Sequence, residues 1–239
     1  MNSPARGDRN RASPAPKLRG GATVSQEDYL KAIRKMQQEE LVPISARLSE
    51  ELGVTPPAVT AALKRMARNG YVKLGPRGRI ALTGKGREIA DHLVLRHRLA
   101  EKLLTDVLGM SWTRVHEEAE KLEHAISPEV EELLLKYFGR DSRCPHGTPL
   151  FGGLAHLRRT EGARPLSDAR VGERVEILRV FEKDPRFLDH LDRIKIRVGT
   201  RLQVEHRDYD DTVQAVVAGR TLHLGKGVAE KIWVKRLSG

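Results

Sequence analysis

The stretch that decides the fold runs over residues 45–83 and reads SARLSEELGVTPPAVTAALKRMARNGYVKLGPRGRIALT. Its first part has apolar residues at helical spacing and ends at Gly53, and after a four-residue turn a second helical stretch follows from the Pro56-Pro57 pair. Residues 71–83 then form a strand, a tight Gly-Pro-Arg-Gly turn and a second strand. Two helices, a short turn between them and a following hairpin predict a winged helix-turn-helix.

The second helix and the hairpin carry residues that suit contact with duplex DNA. Small and polar side chains in the first turns of the helix fit the major groove, and the basic last turns can bind phosphates. A three-helix bundle with a merely solvated basic face is the alternative, but the turn, the proline pair, the basic helix and the hairpin together favour DNA binding. The predicted DNA contacts are Thr55, Pro57, Ala58, Thr60, Ala61, Lys64, Arg65, Arg68, Arg77 and Arg79.

Charge is distributed unevenly along the chain of 239 residues, whose formal net charge is +11. Residues 1–24 carry a net +4, residues 25–87 a net +6, residues 88–140 a net −4 and residues 141–239 a net +5. A basic first third followed by an acidic segment predicts one surface for a polyanion and another for cations. Aromatic residues make up 4% of the chain, which argues against single strands read by base stacking and favours duplex DNA.

The sequence has the features expected of a cytoplasmic protein. It has no run of about 18 or more apolar residues, and its first residues include no apolar segment that would act as a signal peptide. Its single cysteine, Cys144, cannot build an internal disulfide framework. We therefore expect a reducing compartment, the cytoplasm, and no membrane contact.

Five regions of the chain differ in composition and periodicity. Residues 1–24, rich in Pro, Ser, Gly, Ala and Arg, predict a disordered basic tail, and residues 25–87 form the winged helix-turn-helix domain. Residues 88–140 are helical and acidic, and residues 141–169, rich in Gly and Pro, predict a linker. Residues 170–239 alternate with period two, which predicts a small β-barrel of five short strands. The expected fold class is mostly α with a β C-terminal domain.

The boundaries of the individual elements follow from the same periodicities. The acidic helices are predicted over residues 85–108, 111–125 and 127–139. The strands are predicted over residues 174–180, 194–199, 201–204, 212–217 and 232–235.

Histidines and glutamates in the acidic helices form a pattern that predicts a metal site. The pattern comprises His97 and Glu101 on one helix and His116, Glu120, Glu123 and His124 on the next. At about 100° per residue each set projects from one face of its helix. If the two helices pack antiparallel, the six side chains supply the imidazole and carboxylate ligands of a divalent transition metal. Ordinary pairing along exposed helices, which needs no metal, is the alternative.

Other functions have weaker support in the sequence. Cys144 and His146 are spaced as a metal pair would be, but their position in a Pro-rich loop favours a structural role. No motif of nucleophilic catalysis or nucleotide binding is present. A di-metal carboxylate enzyme needs ligands from four core helices and leaves the winged helix without a role. A metal-independent winged-helix regulator, with merely solvated acidic faces, is the other alternative.

The residues described above resemble the diphtheria toxin repressor family of metal-activated transcription regulators, especially its manganese-transport-regulator branch. The matching stretches are residues 27–30 (EDYL), 55–66, 96–104 (RHRLAEKLL), 115–120 (VHEEAE) with Glu123 and His124, and 144–147 (CPHG). The resemblance covers nearly the whole chain after residue 25. It implies a winged helix, dimerisation helices and a C-terminal SH3-like, FeoA-like barrel. It also implies a homodimeric repressor, rather than an enzyme, that binds a palindromic operator in double-stranded DNA and controls metal homeostasis.

The same resemblance implies which residues bind the ions. The primary site would comprise Asp28, Glu120, Glu123 and His124, and a second site would comprise His97, Glu101, His116 and Glu182. His97 is available to both sites. Glu120 and Asp28 stand where iron-type members carry a cysteine and a methionine, which favours Mn²⁺ over Fe²⁺ as the activating ion. Fe²⁺ stays an alternative, and Zn²⁺, Co²⁺ or Cd²⁺ can bind in vitro. Lys31 stands where some manganese members place a glutamate.

Overall fold

The N-terminal domain is a winged helix-turn-helix, as predicted. The computed structural model describes residues 24–237, so the predicted disordered tail lies outside the described residues except for Val24. The helices are α1 (Val24–Gln38), α2 (Ser45–Leu52) and α3 (Pro56–Arg68), and the wing strands are β1 (Val72–Leu74) and β2 (Ile80–Leu82). The two strands pair antiparallel, with Val72 opposite Leu82.

Residue chemistry sets the boundaries of α2 and α3. Gly53 ends α2 in the left-handed conformation with φ of 62°, which glycine adopts without a Cβ clash. Thr55 is the N-cap of α3, and the prolines of its first turn have no N–H that would go unpaired there. Leu30, Leu48 and Met66 are fully buried in the core that the three helices share. This core holds α3 by one face and leaves its other face to solvent.

The acidic segment folds into three further helices. They are α4 (Gly84–Lys102), α5 (Val115–Leu122) and α6 (Pro128–Phe138). α4 continues into a π-helical turn over Leu103–Val107. Ser127 caps α6 by accepting a hydrogen bond from the backbone N–H of Val130.

The helix predicted over residues 111–125 is shorter than expected. Residues Glu123–Ala125 form a 3-10 turn that follows α5. Glu123 keeps α-helical backbone angles, and the chain becomes extended at Ile126 and Ser127, just before Pro128.

The predicted linker over residues 141–169 is largely structured, which corrects that interpretation. It contains α7 (Leu154–Glu161) and β3 (Arg164–Pro165), and β3 pairs antiparallel with the last strand of the chain. Leu150, Leu154 and Leu157 are buried. Leu154 and Leu157 follow the helical spacing of α7, which the surrounding Gly and Pro residues obscured in the sequence.

The C-terminal region is built on one antiparallel sheet. Its further strands are β4 (Arg174–Val180), β5 (Arg201–Arg207), β6 (Val213–Val217), β7 (Arg220–Leu224) and β8 (Ile232–Arg236). The strand order is β3-β8-β4-β5-β6-β7. Two helices, α8 (Pro185–Arg193) and α9 (Lys226–Ala229), complete the domain. The predicted fold class, mostly α with a β C-terminal domain, is confirmed.

One predicted strand of this domain is wrong. Residues 194–199 form turns between α8 and β5, with Lys195 at φ of 62° and Gly199 at φ of 84°. Backbone in the left-handed region cannot continue a strand, although the side chains alternate as in one. β7 and α8 were not predicted. The alternation in residues 220–224 is weak, and Phe187, Leu188 and Leu191 fall at helical spacing.

The C-terminal domain lies against the helix-turn-helix domain. Arg179 on β4 donates to Glu39 at 2.6 Å. Lys35 on α1 donates to Glu182, just after β4, at 3.1 Å. Among the helices of residues 24–237, none combines the length and apolarity needed to span a membrane.

Candidate metal centre

Side chains from all three regions meet between α1, α4 and the end of α5. α1 supplies Asp28, α4 supplies His97 and Glu101, and the C-terminal domain supplies Glu182. Within the described residues, several groups of possible donor atoms have all their members within 4.8 Å of one another. The groups are Asp28, Glu123 and His124; His97, Glu120 and Glu123; His97, His116 and Glu182; and Glu101, Cys144, His146 and Glu182.

The first group joins α1 to the 3-10 turn after α5. His124 Nε2 lies 3.0 Å from Asp28 Oδ1 and 3.6 Å from Glu123 Oε1, while His124 Nδ1 lies 3.0 Å from Glu27 Oε2. Hydrogen bonds to Asp28 and then to Glu27 raise the pKa of His124 to about 9, against the opposing effect of burial. Three of the four residues predicted for the primary site are therefore adjacent.

Glu120, the fourth predicted primary residue, faces His97 and Glu123. Lys31 on α1 donates to Glu120 Oε1 at 2.9 Å and to Glu123 Oε1 at 2.5 Å. Burial raises the pKa of Glu120, but the Lys31 ammonium outweighs it with help from other cations and brings the pKa to about 2. His97 Nδ1 lies 2.6 Å from Glu123 Oε2. Glu123, whose side chain is 0% exposed, thus links both groups of the predicted primary site.

The four residues of the predicted second site lie together: Glu101 Oε1 is 3.2 Å from His97 Nε2, and Glu182 has a donor atom within 4.8 Å of one on each of His97, His116 and Glu101. His97 Nε2 lies 3.0 Å from His116 Nδ1, and His116 Nδ1 lies 3.0 Å from Glu101 Oε1. Burial lowers the pKa of His116 and so favours the neutral imidazole that a metal ligand requires. Glu101 and Glu182 also form a group with Cys144 and His146, two residues of the predicted linker.

Cys144 and His146 are the residues that the sequence interpretation set aside. Both are buried beside Glu101 and Glu182. His146 Nε2 lies 2.8 Å from the carbonyl oxygen of Trp112, which directs Nδ1 toward Glu101 Oε1 at 3.5 Å. Their Cys-x-His spacing was the available signal, but it did not reveal the two carboxylates that come from distant parts of the chain.

The donor chemistry of this buried group fits a divalent cation. Glu101 Oε2 and His146 Nδ1 are buried and have no hydrogen-bond partner within the described part of the chain. Buried polar atoms without partners are rare, and a cation would satisfy a carboxylate oxygen and an imidazole nitrogen together. A thiolate, an imidazole and two carboxylates are all established ligand types for transition metals.

The predicted DNA contacts occupy a separate surface. All ten are exposed, on α3, on its N-cap and on the wing. Val59, Leu63 and Met66 hold α3 from the opposite side, in the core of the domain. The Thr60 hydroxyl donates to the carbonyl oxygen of Pro56 at 3.0 Å, while the long basic side chains near the end of α3 extend into solvent.

Comparison with known families divides the chain into three parts. The model described as iron dependent repressor, N-terminal DNA binding domain matches residues 22–80. The model described as iron dependent repressor, metal binding and dimerisation domain matches residues 83–152. A FeoA domain model matches residues 164–236, which agrees with the predicted SH3-like C-terminal domain.

Individual proteins of this kind match along most of the chain. A diphtheria toxin repressor of Corynebacterium efficiens is 32% identical over 223 residues, which are 89% of this chain and 96% of that protein. The iron-dependent repressor IdeR of Mycobacterium leprae is 38% identical over 128 residues, 54% of this chain and 56% of that protein.

Solved structures show the same arrangement. A manganese-dependent transcriptional repressor in complex with manganese matches with a TM-score of 0.78 and 32% identity, covering 89% of this chain and 100% of that one. The structure of ScaR with bound Cd²⁺ matches with a TM-score of 0.72 and 26% identity, covering 89% and 99%.

Proposed function

The chain belongs to the iron-dependent (diphtheria toxin) repressor family of metal-dependent transcriptional repressors, and from that premise we propose that it is a homodimer whose operator binding requires Mn²⁺. Its relatives are repressors rather than enzymes. The observation that carries the proposal is the meeting of Asp28, Glu123 and His124, because it joins the DNA-binding domain to the metal-binding domain. The direct test is whether DNA binding is lost on chelation.

The position of Asp28 explains how an ion would control DNA binding. Asp28 lies on α1 of the DNA-binding domain, whereas Glu123 and His124 follow α5. A divalent cation would supply the positive charge that holds these three donors together. The Asp28 carboxylate then fixes α1, which packs against α2 and α4, and so fixes the direction of α3. In a dimer this restricts two recognition helices to the spacing of successive major grooves, about 34 Å.

The buried group of Glu101, Cys144, His146 and Glu182 would connect the C-terminal domain to the ion-dependent control of DNA binding. Glu101 lies on α4, Cys144 and His146 follow α6, and Glu182 follows β4. Ion binding by these four side chains would hold the C-terminal sheet against α4. We assign Cys144 and His146, together with Glu101 and Glu182, to a second ion site. His97 and His116 border it through Glu101 and Glu182.

The donors favour different ions in the two places. Asp28, Glu120 and Glu123 offer carboxylate oxygens, which suit the comparatively hard Mn²⁺, with Fe²⁺ as the next candidate. Cys144 adds a soft thiolate ligand, which Zn²⁺, Co²⁺ or Cd²⁺ also bind well. Mn²⁺ is therefore proposed as the activating ion and the softer ions as binders in vitro. A regulator of chromosomal DNA with this role would act in the cytoplasm and control metal-ion uptake or efflux.

An apolar stripe on α6 supports the proposed homodimer. Val130, Leu133 and Tyr137 recur at helical spacing on one face, and Leu133 and Tyr137 are 60% and 72% exposed. Leu108, after the π-helical turn, is 67% exposed. Large exposed apolar side chains on one helix face mark an interaction surface, and a second copy of the domain offers the same apolar face in return.

Leu133→Glu is expected to convert the dimer to a monomer at micromolar concentration. The substitution places a charge at the centre of an apolar contact, where burying it without a partner is strongly unfavourable. Sedimentation equilibrium measures the change directly. Glu132→Lys, on a neighbouring exposed position of α6, is the control and should leave the dimer intact. A Leu133→Glu protein that stays dimeric would place the interface elsewhere.

Arg65→Ala and Arg68→Ala are each expected to weaken binding to every duplex, whatever its sequence. Each phosphate contact that is lost should lower the slope of log affinity against log salt by about one. Titrations of labelled duplex at several salt concentrations measure this slope. Arg186→Ala, an exposed arginine on α8, serves as the matched control. An unchanged slope in both α3 variants would remove these arginines from the interface.

A further inference from the structure

Two lysines on one helix contact the carboxylates of both donor regions. Lys31 and Lys35 are one helical turn apart on α1. Lys31 is 5% exposed and donates to Glu120 and Glu123, with Nζ to oxygen distances of 2.9 and 2.5 Å. The Lys35 side chain is 12% exposed and its Nζ lies 3.1 Å from Glu182 Oε1.

These lysines occupy an unusual environment. Lysine is rarely buried unless its charge is paired, and here every paired acid also belongs to a group of candidate metal ligands. Arg34, between them on the same helix, is different. It pairs with Asp91, which belongs to none of the donor groups in the described residues.

An ammonium and a divalent ion compete for such carboxylates. Lys31 bridges two of them, so a cation bound by both Glu120 and Glu123 would lie within a few ångströms of Nζ. Like charges at that distance repel strongly where water is largely excluded. The Lys35 ammonium stands in the same relation to a cation bound by Glu182.

We propose that Lys31 and Lys35 are built-in counter-cations of the two ion sites, and that a divalent ion binds by displacing Lys31 from Glu120 and Glu123 and Lys35 from Glu182. The proposal rests on the proposed function, because it takes these groups as ion sites. In this proposal the lysines are not ligands. They hold the carboxylates together when no ion is bound, and they set how tightly an ion must bind to displace the ammonium groups.

Both displacements would act on the same helix. Because Lys31 and Lys35 belong to α1, each exchange breaks an ion pair between the DNA-binding domain and another domain. At the site that contains Glu123, Asp28 of α1 would keep the connection through the ion, whereas, among the described residues, the groups that contain Glu182 have no donor on α1. α1 therefore responds to ion binding at both sites. In the alternative, the lysines bind carboxylate oxygens that an ion does not use, and removing them would leave ion affinity unchanged or lower it by disturbing the ligands.

The test compares Lys31→Met, Lys35→Met and the matched control Arg34→Met. Calorimetric titration with Mn²⁺ measures binding at the site that contains Glu123, which is identified as the binding event that Glu123→Gln removes. Co²⁺ titration, followed by the absorption of the thiolate-to-cobalt charge transfer, reports only the site that contains Cys144. Far-ultraviolet circular dichroism verifies that each variant is folded. Lys31→Gln and Lys35→Gln, which keep a neutral donor, replace any Met variant that does not fold.

Each lysine variant should tighten one site only. Lys31→Met is expected to raise Mn²⁺ affinity about tenfold or more, because a buried competing charge is removed. It should leave unchanged the Co²⁺ concentration at which the charge-transfer absorption is half-maximal. Lys35→Met is expected to lower this half-saturating Co²⁺ concentration by a similar factor. Arg34→Met should change neither, and Lys31→Arg, which keeps the charge, should restore weak Mn²⁺ binding.

Two different failures can be told apart. Unchanged or weaker ion binding in both lysine variants, with normal binding by the unaltered protein, would overturn the proposal and leave the function standing. An unaltered protein that binds neither Mn²⁺ nor Co²⁺ would overturn the proposed function itself, and the inference with it.

Discussion

Glu123→Gln is expected to abolish ion-dependent DNA binding and to weaken Mn²⁺ binding by about 100-fold or more, since even residues that only support a ligand cost about 10- to 100-fold when replaced. The Glu123 side chain is fully buried and belongs to both groups of the predicted primary site. Glutamine has nearly the same shape, so packing is retained while one charged donor is lost. Calorimetric titration with Mn²⁺ measures the loss.

Glu118→Gln is the matched control for this prediction. Glu118 lies on α5 and pairs with Lys121 in solvent, outside the donor groups of the described residues. It should keep the Mn²⁺ affinity and the DNA affinity of the unaltered protein. Equal Mn²⁺ affinities in Glu123→Gln and Glu118→Gln would exclude Glu123 as a ligand.

His146→Gln is expected to remove one bound ion per chain. His146 is fully buried, and its Nδ1 is one of two orphaned atoms in the group with Glu101 and Cys144. Without the imidazole, the group loses its nitrogen donor, and ion affinity there should fall about 10- to 100-fold or more. Equilibrium dialysis against Mn²⁺ or Co²⁺ counts the bound ions.

The same variant should also loosen the C-terminal domain. Limited proteolysis in saturating Mn²⁺ should cut His146→Gln after α6 faster than the unaltered protein. His223→Gln, at an exposed position on β7, should change neither ion count nor cleavage rate. An unchanged ion count in His146→Gln would confine binding to the groups around Glu123.

Sequence reasoning predicted the fold well where local signals agree. Gly53, the Pro56-Pro57 pair and the turn at residues 75–78 each restrict the backbone on their own, and the winged helix-turn-helix follows. Alternation over residues 194–199 was misleading because the side-chain pattern of a strand does not exclude left-handed turns at Lys195 and Gly199. Periodicity indicates which side chains are buried, but it does not determine the backbone dihedral angles.

The candidate site was predictable only in part. His97, Glu120 and Glu123 stood out through spacing along helices, whereas Asp28 and Glu182 entered through the family resemblance. The meeting of Cys144 and His146 with Glu101 and Glu182 depends on tertiary packing of a segment that its Gly and Pro content marked as a linker. No local pattern indicates such a contact, because its members come from three separate parts of the chain.

The central claim is that a divalent ion controls DNA binding through contacts between α1 and the helices of the metal-binding domain. The most direct measurement uses a duplex selected from a random library with the Mn²⁺-loaded protein. Fluorescence anisotropy then gives its affinity after chelation and during separate titrations with Mn²⁺, Fe²⁺ and Zn²⁺ at fixed salt. The account predicts that chelation abolishes specific binding and that Mn²⁺ restores it. Equal affinity with and without the chelator would contradict the account.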